Sequence, residues 1–295
     1  MAIFVTGATG FIGGAVAARL VADGYEVRGL VRDEAKAKQL TERSITPVLG
    51  DLDDAGLLIR EARASEGVVN AADSDHHGAA MALLEGLFGS GKPLLQTSGT
   101  GLVAENTRGE ASDRTYDDDT PLGSEPVFGE RADIDQQILA AAERDVRSIV
   151  LCNSCIYGWG EGLHRESIMV PWLKRQARED GVARYIGSGA NIWSNVHIDD
   201  LVDLYVLAFD RAPAGSRYLV ENGESAFADI AQAIADRLGL GKARSWSVEE
   251  ATARVNDMFA FIFGSNCRVR STRARAELNW QPRIGSMLDW IRQEG

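Results

Sequence analysis

Met1-Ala-Ile-Phe-Val-Thr-Gly-Ala-Thr-Gly-Phe-Ile-Gly13 is the stretch on which the reading of this chain turns. A short apolar run, Ile3 to Val5, ends at Thr6, and Gly7, Gly10 and Gly13 follow at three-residue spacing. An apolar helical pattern opens at Phe11. The order is strand, glycine turn, helix N-terminus. Glycines let phosphates approach the backbone, and the free N–H groups and dipole of a helix start favour negative charge. A Gly-x-x-Gly-x-x-Gly string is weak alone, but between a strand and a helix it has the context that a dinucleotide pyrophosphate demands. Gly7, Thr9, Gly10, Phe11, Ile12 and Gly13 are therefore the first candidate cofactor residues.

Outward from this turn, strand-like and helix-like segments alternate. Strands are expected at Ala2–Thr6, Tyr25–Val31, Ile45–Leu49, Gly67–Ala71, Pro93–Thr97 and Arg147–Cys152. Helices are expected between them at Phe11–Asp23, Glu34–Glu42, Asp54–Ala64, Gly78–Phe88 and Ala132–Arg144. Apolar strands separated by helices are the pattern of an α/β fold with a doubly wound parallel sheet covered on both faces. The polar stretch from Gly101 to Gly129, with Asp117-Asp-Asp, Pro121 and Pro126, breaks the rhythm and reads as a long functional loop. Beyond residue 160 the helices Ser167–Arg178, Asp199–Arg211, Phe227–Leu238 and Val248–Phe263 alternate with short strands Arg184–Ile186, Asn195–His197 and Tyr218–Val220. The expected division is a dinucleotide-binding domain over 1–160 and a smaller C-terminal α/β substrate lobe over 161–295, interleaved with the last strands of the sheet.

Composition narrows the classes. The 295 residues carry 31 basic and 43 acidic side chains, a net charge of −12. An acidic surface argues against nucleic acid and membrane surfaces as partners. Cys152, Cys155 and Cys267 are too few for a disulfide framework. The first strand begins at residue 2 or 3, so no secretory leader is expected, and no apolar run approaches membrane-spanning length. A cytoplasmic protein with a small-molecule substrate is the expectation.

Several later segments now join the opening one. Thr6-Gly-Ala-Thr-Gly-Phe-Ile-Gly13 resembles the start of the extended short-chain dehydrogenase/reductases, the group containing sugar-nucleotide epimerases and dehydratases. Gly50-Asp51-Leu52 resembles that family's acidic residue beside the adenine, and Asn70-Ala71-Ala72 its turn after the fourth strand. Ile156-Tyr157-Gly158, Val196-His-Ile-Asp-Asp-Leu201 and Leu278-Asn-Trp-Gln-Pro282 resemble further family segments in collinear order. The resemblance implies a Rossmann cofactor domain, a C-terminal substrate lobe and cofactor contacts from Asp51, Leu52, Ala71, Ala72, Thr97, Ser154 and Cys155. It also exposes a departure. The family's general acid/base is the tyrosine of Tyr-x-x-x-Lys, whose lysine holds the nicotinamide ribose. Here Val127 falls at the tyrosine and Arg131 at the lysine. Valine has no proton to give. Arginine keeps the charge and can bind ribose hydroxyls with a different geometry.

The second strand ends Leu30-Val-Arg-Asp33. NAD sites usually place a carboxylate near this point for the ribose 2′-hydroxyl. Arg32 at the tip instead suits a 2′-phosphate, so NADP(H) is the expected cofactor, with Asp33 as a competitor.

Ser98 and Thr100, after the fifth strand, are candidate catalytic hydroxyls or turn stabilisers. Tyr157 is a third catalytic candidate that in the family is usually structural. Tyr116 is a loop tyrosine able to fold over the cleft or to stand exposed. Cys152-Asn-Ser-Cys155 lacks the helix-start setting of a redox pair and reads as packed thiols lining the nicotinamide pocket. His76-His77 beside Asp73 and Asp75 lacks a distant partner, so no metal is expected, and Asp75 is a candidate helix cap. His197 is implied to be structural, before a helix capped by Asp199 or Asp200. Trp193 packs on ligand or core. Ala79, Leu83, Leu87, Ile134 and Ile138 pack on the sheet or, by resemblance, in a homodimer.

These features point to an NADP(H)-dependent oxidoreductase acting on a small organic substrate, a reductase with a non-standard proton donor. Reduction of carbon–carbon or carbon–nitrogen double bonds suits it better than alcohol oxidation. Two other readings stand beside it. One is a non-catalytic NADP(H)-binding redox sensor. The other is a sugar-nucleotide epimerase or dehydratase, against which Val127 counts.

Overall fold

The computed structural model describes residues 2–123 and 126–294. The glycine turn sits between β1 (Ala2–Thr6) and α1 (Phe11–Ala22). There follow β2 (Glu26–Val31), α2 (Glu34–Thr41), β3 (Ile45–Leu49), α3 (Ala55–Ala64), β4 (Gly67–Asn70), α4 (His77–Leu87) and β5 (Pro93–Gly99). Next come the short β6 (Thr115–Tyr116), α5 (Arg131–Ala140), β7 (Arg147–Asn153), β8 (Cys155–Tyr157), α6 (Met169–Asp180), β9 (Arg184–Ile186) and β10 (Ile192–His197). The rest is α7 (Ile198–Arg211), β11 (Ser216–Val220), β12 (Glu224–Ala226), α8 (Phe227–Leu238), β13 (Arg244–Trp246), α9 (Val248–Arg254), α10 (Asp257–Gly264), β14 (Arg268–Val269), α11 (Thr272–Leu278) and α12 (Met287–Gln293).

Among the described residues the main sheet has seven strands in the order β11-β7-β5-β4-β1-β2-β3, all parallel. Successive strands walk one way from β1 to β3 and the other way from β4 to β11. The order therefore reverses between β1 and β4, where open sheets bind ligands. Alternation along each strand divides two apolar layers. Phe4, Val68, Leu94 and Val150 meet Leu58, Leu83 and Ile134 from α3, α4 and α5. Ile3, Val5, Leu95 and Ile149 meet Val16, Leu40 and Leu201 from α1, α2 and α7.

The second part of the chain is interleaved with the first. Helix α7 covers the α1 face, and β11 is the seventh strand, paired from Ser216↔Ile149 to Val220↔Asn153. Strands β8, β10 and β12 form a separate sheet, and β9 pairs with β13. Helices α6, α8, α10 and α12 complete this lobe around Val170, Trp193, Phe227, Phe263 and Ile291.

The structure departs from the expected elements where side chains redirect the backbone. The helix expected over Val248–Phe263 is two: Val255 leaves the helix at φ −124° and ψ 173°, and the Asn256 side chain accepts from the Phe259 N–H at 2.9 Å and caps a new one. β5 runs two residues past Thr97 because Ser98 and Gly99 pair with Cys152 and Asn153. The segment expected as a free loop over Gly101–Gly129 contains β6, paired with β14. It is tied down by Asp118, a buried carboxylate accepting from the N–H groups of Leu219 and Arg273 at 2.7 and 2.9 Å. Residues 124 and 125 of this segment lie outside the described residues. His197, not Asp199 or Asp200, caps α7, its Nδ1 accepting from the Asp199 N–H at 3.2 Å. His76, not Asp75, caps α4 in the same way. Ala79, Leu83, Leu87, Ile134 and Ile138 are at most 1% exposed in the single chain and pack on the sheet.

Candidate dinucleotide cleft and the strand ends beside it

The turn after β1 is shaped by contacts that only glycine permits. Gly7 has φ +69°, and a Cβ there would lie 2.3 Å from the Ala71 carbonyl oxygen. A Cβ on Gly13 would lie 2.4 Å from the Gly7 carbonyl oxygen. Helix α1 is thus drawn against the turn, and its cap residue Gly10 offers no side-chain partner to the first N–H groups. Those of Phe11 and Ile12 lie in this first turn. A cleft of about 550 Å³ runs from Gly7, Thr9 and Gly10 past Ala71 and Ala72 to Arg32, Asp51 and Leu52.

At its outer end Asp33 lines the cleft and caps α2, its Oδ1 accepting from the Lys36 N–H at 2.8 Å and its Oδ2 lying 3.8 Å from Lys36 Nζ. Arg32 and Lys36 both line the cleft, and among the described residues Arg32 has no ion-pair partner. Lys36 was not anticipated, although its place in the first turn of α2, four residues past the strand tip, is legible in the sequence. Asp51 is also engaged, its Oδ1 accepting from the N–H groups of Asp53 and Asp54 at 3.0 and 3.1 Å. His76 lines the inner wall and meets Asp53 at 3.2 Å.

At the inner end the loop after β4 is stitched to β5 and α5. Ser74 donates to the Thr97 carbonyl at 2.8 Å. Arg131 grips Asp75 through Nε and Nη2 at 2.8 and 2.6 Å. The Arg131 guanidinium is therefore already paired. Val127 packs against the apolar cluster of Leu102, Phe128, Ala132 and Phe261.

Four buried polar atoms here have no partner among the described residues: Thr100 Oγ1, Asn153 Oδ1, Ser154 Oγ and Asp135 Oδ1. Three of them lie at the ends of β5 and β7. Buried polar atoms are nearly always satisfied in folded proteins, so such a group beside a glycine cradle fits a polar ligand such as a nicotinamide carboxamide and its ribose.

Other sequence candidates fall elsewhere. The Thr97 hydroxyl is shared with Tyr205 at 2.8 Å on the α7 face, so its side chain is taken. The Tyr157 hydroxyl donates to the Ile284 carbonyl at 3.1 Å, and burial raises its pKa, so it is a structural group rather than a proton donor. Tyr116 is buried in β6, not exposed on a loop. Cys155 does not line the cleft with its thiol. The sulfur lies 3.4 Å from that of Met169, and burial pushes the thiol up to about 12. Cys152 is buried beside Ser98 and Asp135, and Trp193 donates to the Ser265 carbonyl at 3.0 Å within the core. Among the described residues no three His, Cys, Asp or Glu side chains converge as a metal site requires, and no helix is long and apolar enough to cross a membrane.

The residue that sequence reading missed is Asp135. It follows Arg131 by one helical turn on α5, is fully buried, and accepts from the Ser98 hydroxyl. Burial pushes its carboxyl up to about 7, against the opposing pull of Ser98, Arg131 and Arg217. The signal available was its spacing from Arg131, which places both on one face of the helix. An acid with a raised folded pKa holds a proton that the unfolded chain releases near pH 4. Its contribution to stability is therefore complete below pH 4 and is lost as the pH rises to about 7. Relative to the wild type, Asp135→Asn is expected to gain on the order of 2–4 kcal/mol between pH 5 and pH 8. Urea unfolding at both pH values measures this, and parallel pH profiles for the two proteins refute it.

Comparison with known proteins agrees with this geometry. The sequence profile of the NAD dependent epimerase/dehydratase family matches residues 3–90 and 80–220. A protein named oxidase ucsJ from Acremonium sp is 35% identical over 95% of this chain and 92% of its own length. A 2-alkyl-3-oxoalkanoate reductase from Stenotrophomonas maltophilia is 28% identical over 76% of this chain and 71% of its own. In fold, the chain resembles a dTDP-glucose 4,6-dehydratase from Bacillus anthracis, solved in complex with NAD. The TM-score is 0.77 at 18% identity, covering 100% of this chain and 97% of the other. On the family profile, the relatives and the cleft together, the chain belongs to the NAD dependent epimerase/dehydratase family and is an enzyme, an oxidoreductase working with a nicotinamide dinucleotide.

Proposed function

We propose that the chain is an NADP(H)-dependent reductase of a small organic carbonyl compound or its carbon–nitrogen analogue. The observation that supports the cofactor choice is the pair Arg32 and Lys36 on the cleft, with Asp33 Oδ1 engaged in the α2 cap and its Oδ2 beside the Lys36 ammonium at 3.8 Å. Two cations suit a 2′-phosphate, and they outnumber the one carboxylate, Asp33, that shares the strand tip with them. The substrate class is supported by relatives named for reducing oxo or diazo compounds: the 2-alkyl-3-oxoalkanoate reductase, a quinoline-oxide ketoreductase from Stigmatella aurantiaca and a 3-diazoavenalumate denitrifying reductase from a Streptomyces. The bound dinucleotide supplies hydride. The chain's own part is to hold it between the glycine turn and the ends of β5 and β7, to fix the inner rim through Arg131 and Asp75, and to polarise the substrate with Ser98 and Thr100. The epimerase or dehydratase reading is disfavoured because Val127 and its apolar neighbours offer no base for a substrate hydroxyl.

The test is titration of the purified protein with NADPH and with NADH, followed by nicotinamide fluorescence. Arg32→Ala is expected to weaken NADPH about 10- to 100-fold, the worth of one charge-assisted phosphate contact, and to leave NADH within about threefold. Equal affinity of the wild type for both dinucleotides overturns the cofactor choice. A panel of ketones, enones and imines then tests turnover by NADPH consumption. Tight binding with no turnover across the panel counts against the reductase.

A further inference from the structure

We propose that Ser98 and Asp135 form the proton-handling pair that stands in for the absent tyrosine, with Ser98 touching the substrate oxygen and Asp135 acting through it as a positioning and proton-holding residue. This rests on the reductase reading above. Ser98 is the penultimate residue of β5, at the end of the sheet where ligands bind, and its hydroxyl is within hydrogen-bond distance of Asp135 Oδ2. Asp135 Oδ1 is buried without a partner among the described residues, so the carboxyl has a single neutral neighbour and lacks the contacts that an ion needs. The charges around it are engaged elsewhere. Arg131 is paired with Asp75, and Arg217 of β11 donates to the carbonyls of Asp118 and Thr120. Cys152 of β7 is the remaining titratable neighbour, with Asp118 beyond it, and burial raises its thiol pKa. Asp135, by contrast, titrates near neutrality, at about 7.

The step balances as follows. When bound, a reduced dinucleotide would supply hydride to the substrate carbon, and the carbon–oxygen π electrons would move to the oxygen that Ser98 touches. Oxygen takes the Ser98 proton, and Ser98 takes the proton of Asp135, its hydroxyl turning from donor to acceptor toward the carboxyl. Asp135 is left as a carboxylate facing Arg131 and Arg217 and regains a proton from solvent after product leaves. One hydride and one proton are consumed. Tyr157 and Tyr205 do not compete for this role, since the first is held on the Ile284 carbonyl and the second is buried against Thr97 and Asn153.

Two measurements on the full chain decide it. Infrared difference spectra of wild type minus Asp135→Asn, without ligand, are expected to contain a protonated-carboxyl band at pH 6 that disappears with a midpoint near 7. With a substrate from the panel, wild-type kcat is expected to fall tenfold per pH unit above that midpoint. Asp135→Asn is expected to lower kcat about 100-fold and flatten the profile, with KM and NADPH affinity within about threefold. Ser98→Ala should match it, and the double variant should be no slower than either single one. If Asp135→Asn does not fold, Ser98→Ala with the carboxyl in place still has to show the lost pH dependence. Absence of the band at pH 6, or wild-type kcat and pH profile in either variant, overturns the relay alone. No turnover by the wild type overturns the reductase reading and the relay with it.

Discussion

Gly7→Ala is expected to lower the affinity for a nicotinamide dinucleotide by at least about 100-fold, close to 3 kcal/mol. The variant faces two separate costs. Its φ of +69° is a left-handed conformation that an alanine adopts at a cost of about 1–3 kcal/mol. The added Cβ would also lie 2.3 Å from the Ala71 carbonyl oxygen and 2.8 Å from the Ala72 nitrogen. Both contacts are backbone, so no side-chain rotation relieves them. Either β4's exit loop moves, or the turn after β1 does. Both are walls of the same cleft, so its width changes whichever yields. Gly56→Ala is the control. It lies inside α3, where the nearest atom to a new Cβ is the mobile end of Arg60 at 3.4 Å. That variant should bind normally and gain up to about 1 kcal/mol of stability. Fluorescence titration and thermal melting of both proteins test the pair. Gly7→Ala binding within threefold of the wild type would show that the glycine turn does not hold the dinucleotide.

Asp200→Ala is expected to cost about 3 kcal/mol, lowering Tm on the order of 5–10 °C. The side chain is buried at the start of α7, and its two oxygens accept from the N–H groups of Arg283 and Ile284, each at 2.9 Å. Its carbonyl accepts from the Trp280 indole at 2.9 Å. One residue thus fastens the segment that follows α11 to the helix that covers the sheet. Removing the carboxylate takes a charged acceptor from the two backbone donors of the exposed Arg283–Ile284 segment, and hydrogen bonds to charged groups are worth about 1.5–3 kcal/mol each. Asp200→Asn keeps one acceptor and should lose roughly half as much by the same reasoning. Limited proteolysis should then cut the alanine variant after Leu278 before it cuts elsewhere. Wild-type melting and an uncut C-terminus in Asp200→Ala would sink this account.

The fold was open to sequence reading because it rests on local signals. The apolar runs at Ile3–Val5, Val68–Val69 and Leu94–Leu95 are short and bounded by turn residues. Glycines at this spacing, set between a strand and a helix, suit few ligands besides a dinucleotide. The site was open only in part. Arg32 is legible because a strand tip faces the ligand crevice by the geometry of the sheet. The fate of Asp33 was open to either role, since a residue at that position serves equally as a helix cap or a ribose ligand, and in the fold it caps α2 through Oδ1 while still lining the cleft. The roles of Asp75 and Asp135 are hidden from the sequence because their partners are remote. Asp75 meets Arg131 across 56 positions and Asp135 meets Ser98 across 37. A cap propensity describes what a residue can do within its own turn and says nothing of a guanidinium that the fold brings alongside.

Hydrophobic period and glycine spacing, both short-range properties, determined the parallel sheet and the glycine turn between its first strand and helix. Only the tertiary structure decided which polar groups are spent and which remain. It buried Tyr157 and Tyr116, tied Thr97 to Tyr205, and left the side-chain oxygens Thr100 Oγ1, Asn153 Oδ1 and Ser154 Oγ without a partner among the described residues. It also placed a lone carboxyl, Asp135, behind Ser98. The physical reason is that protonation and hydrogen bonding depend on solvent exclusion and on neighbours far along the chain, and these exist only once the layers have packed.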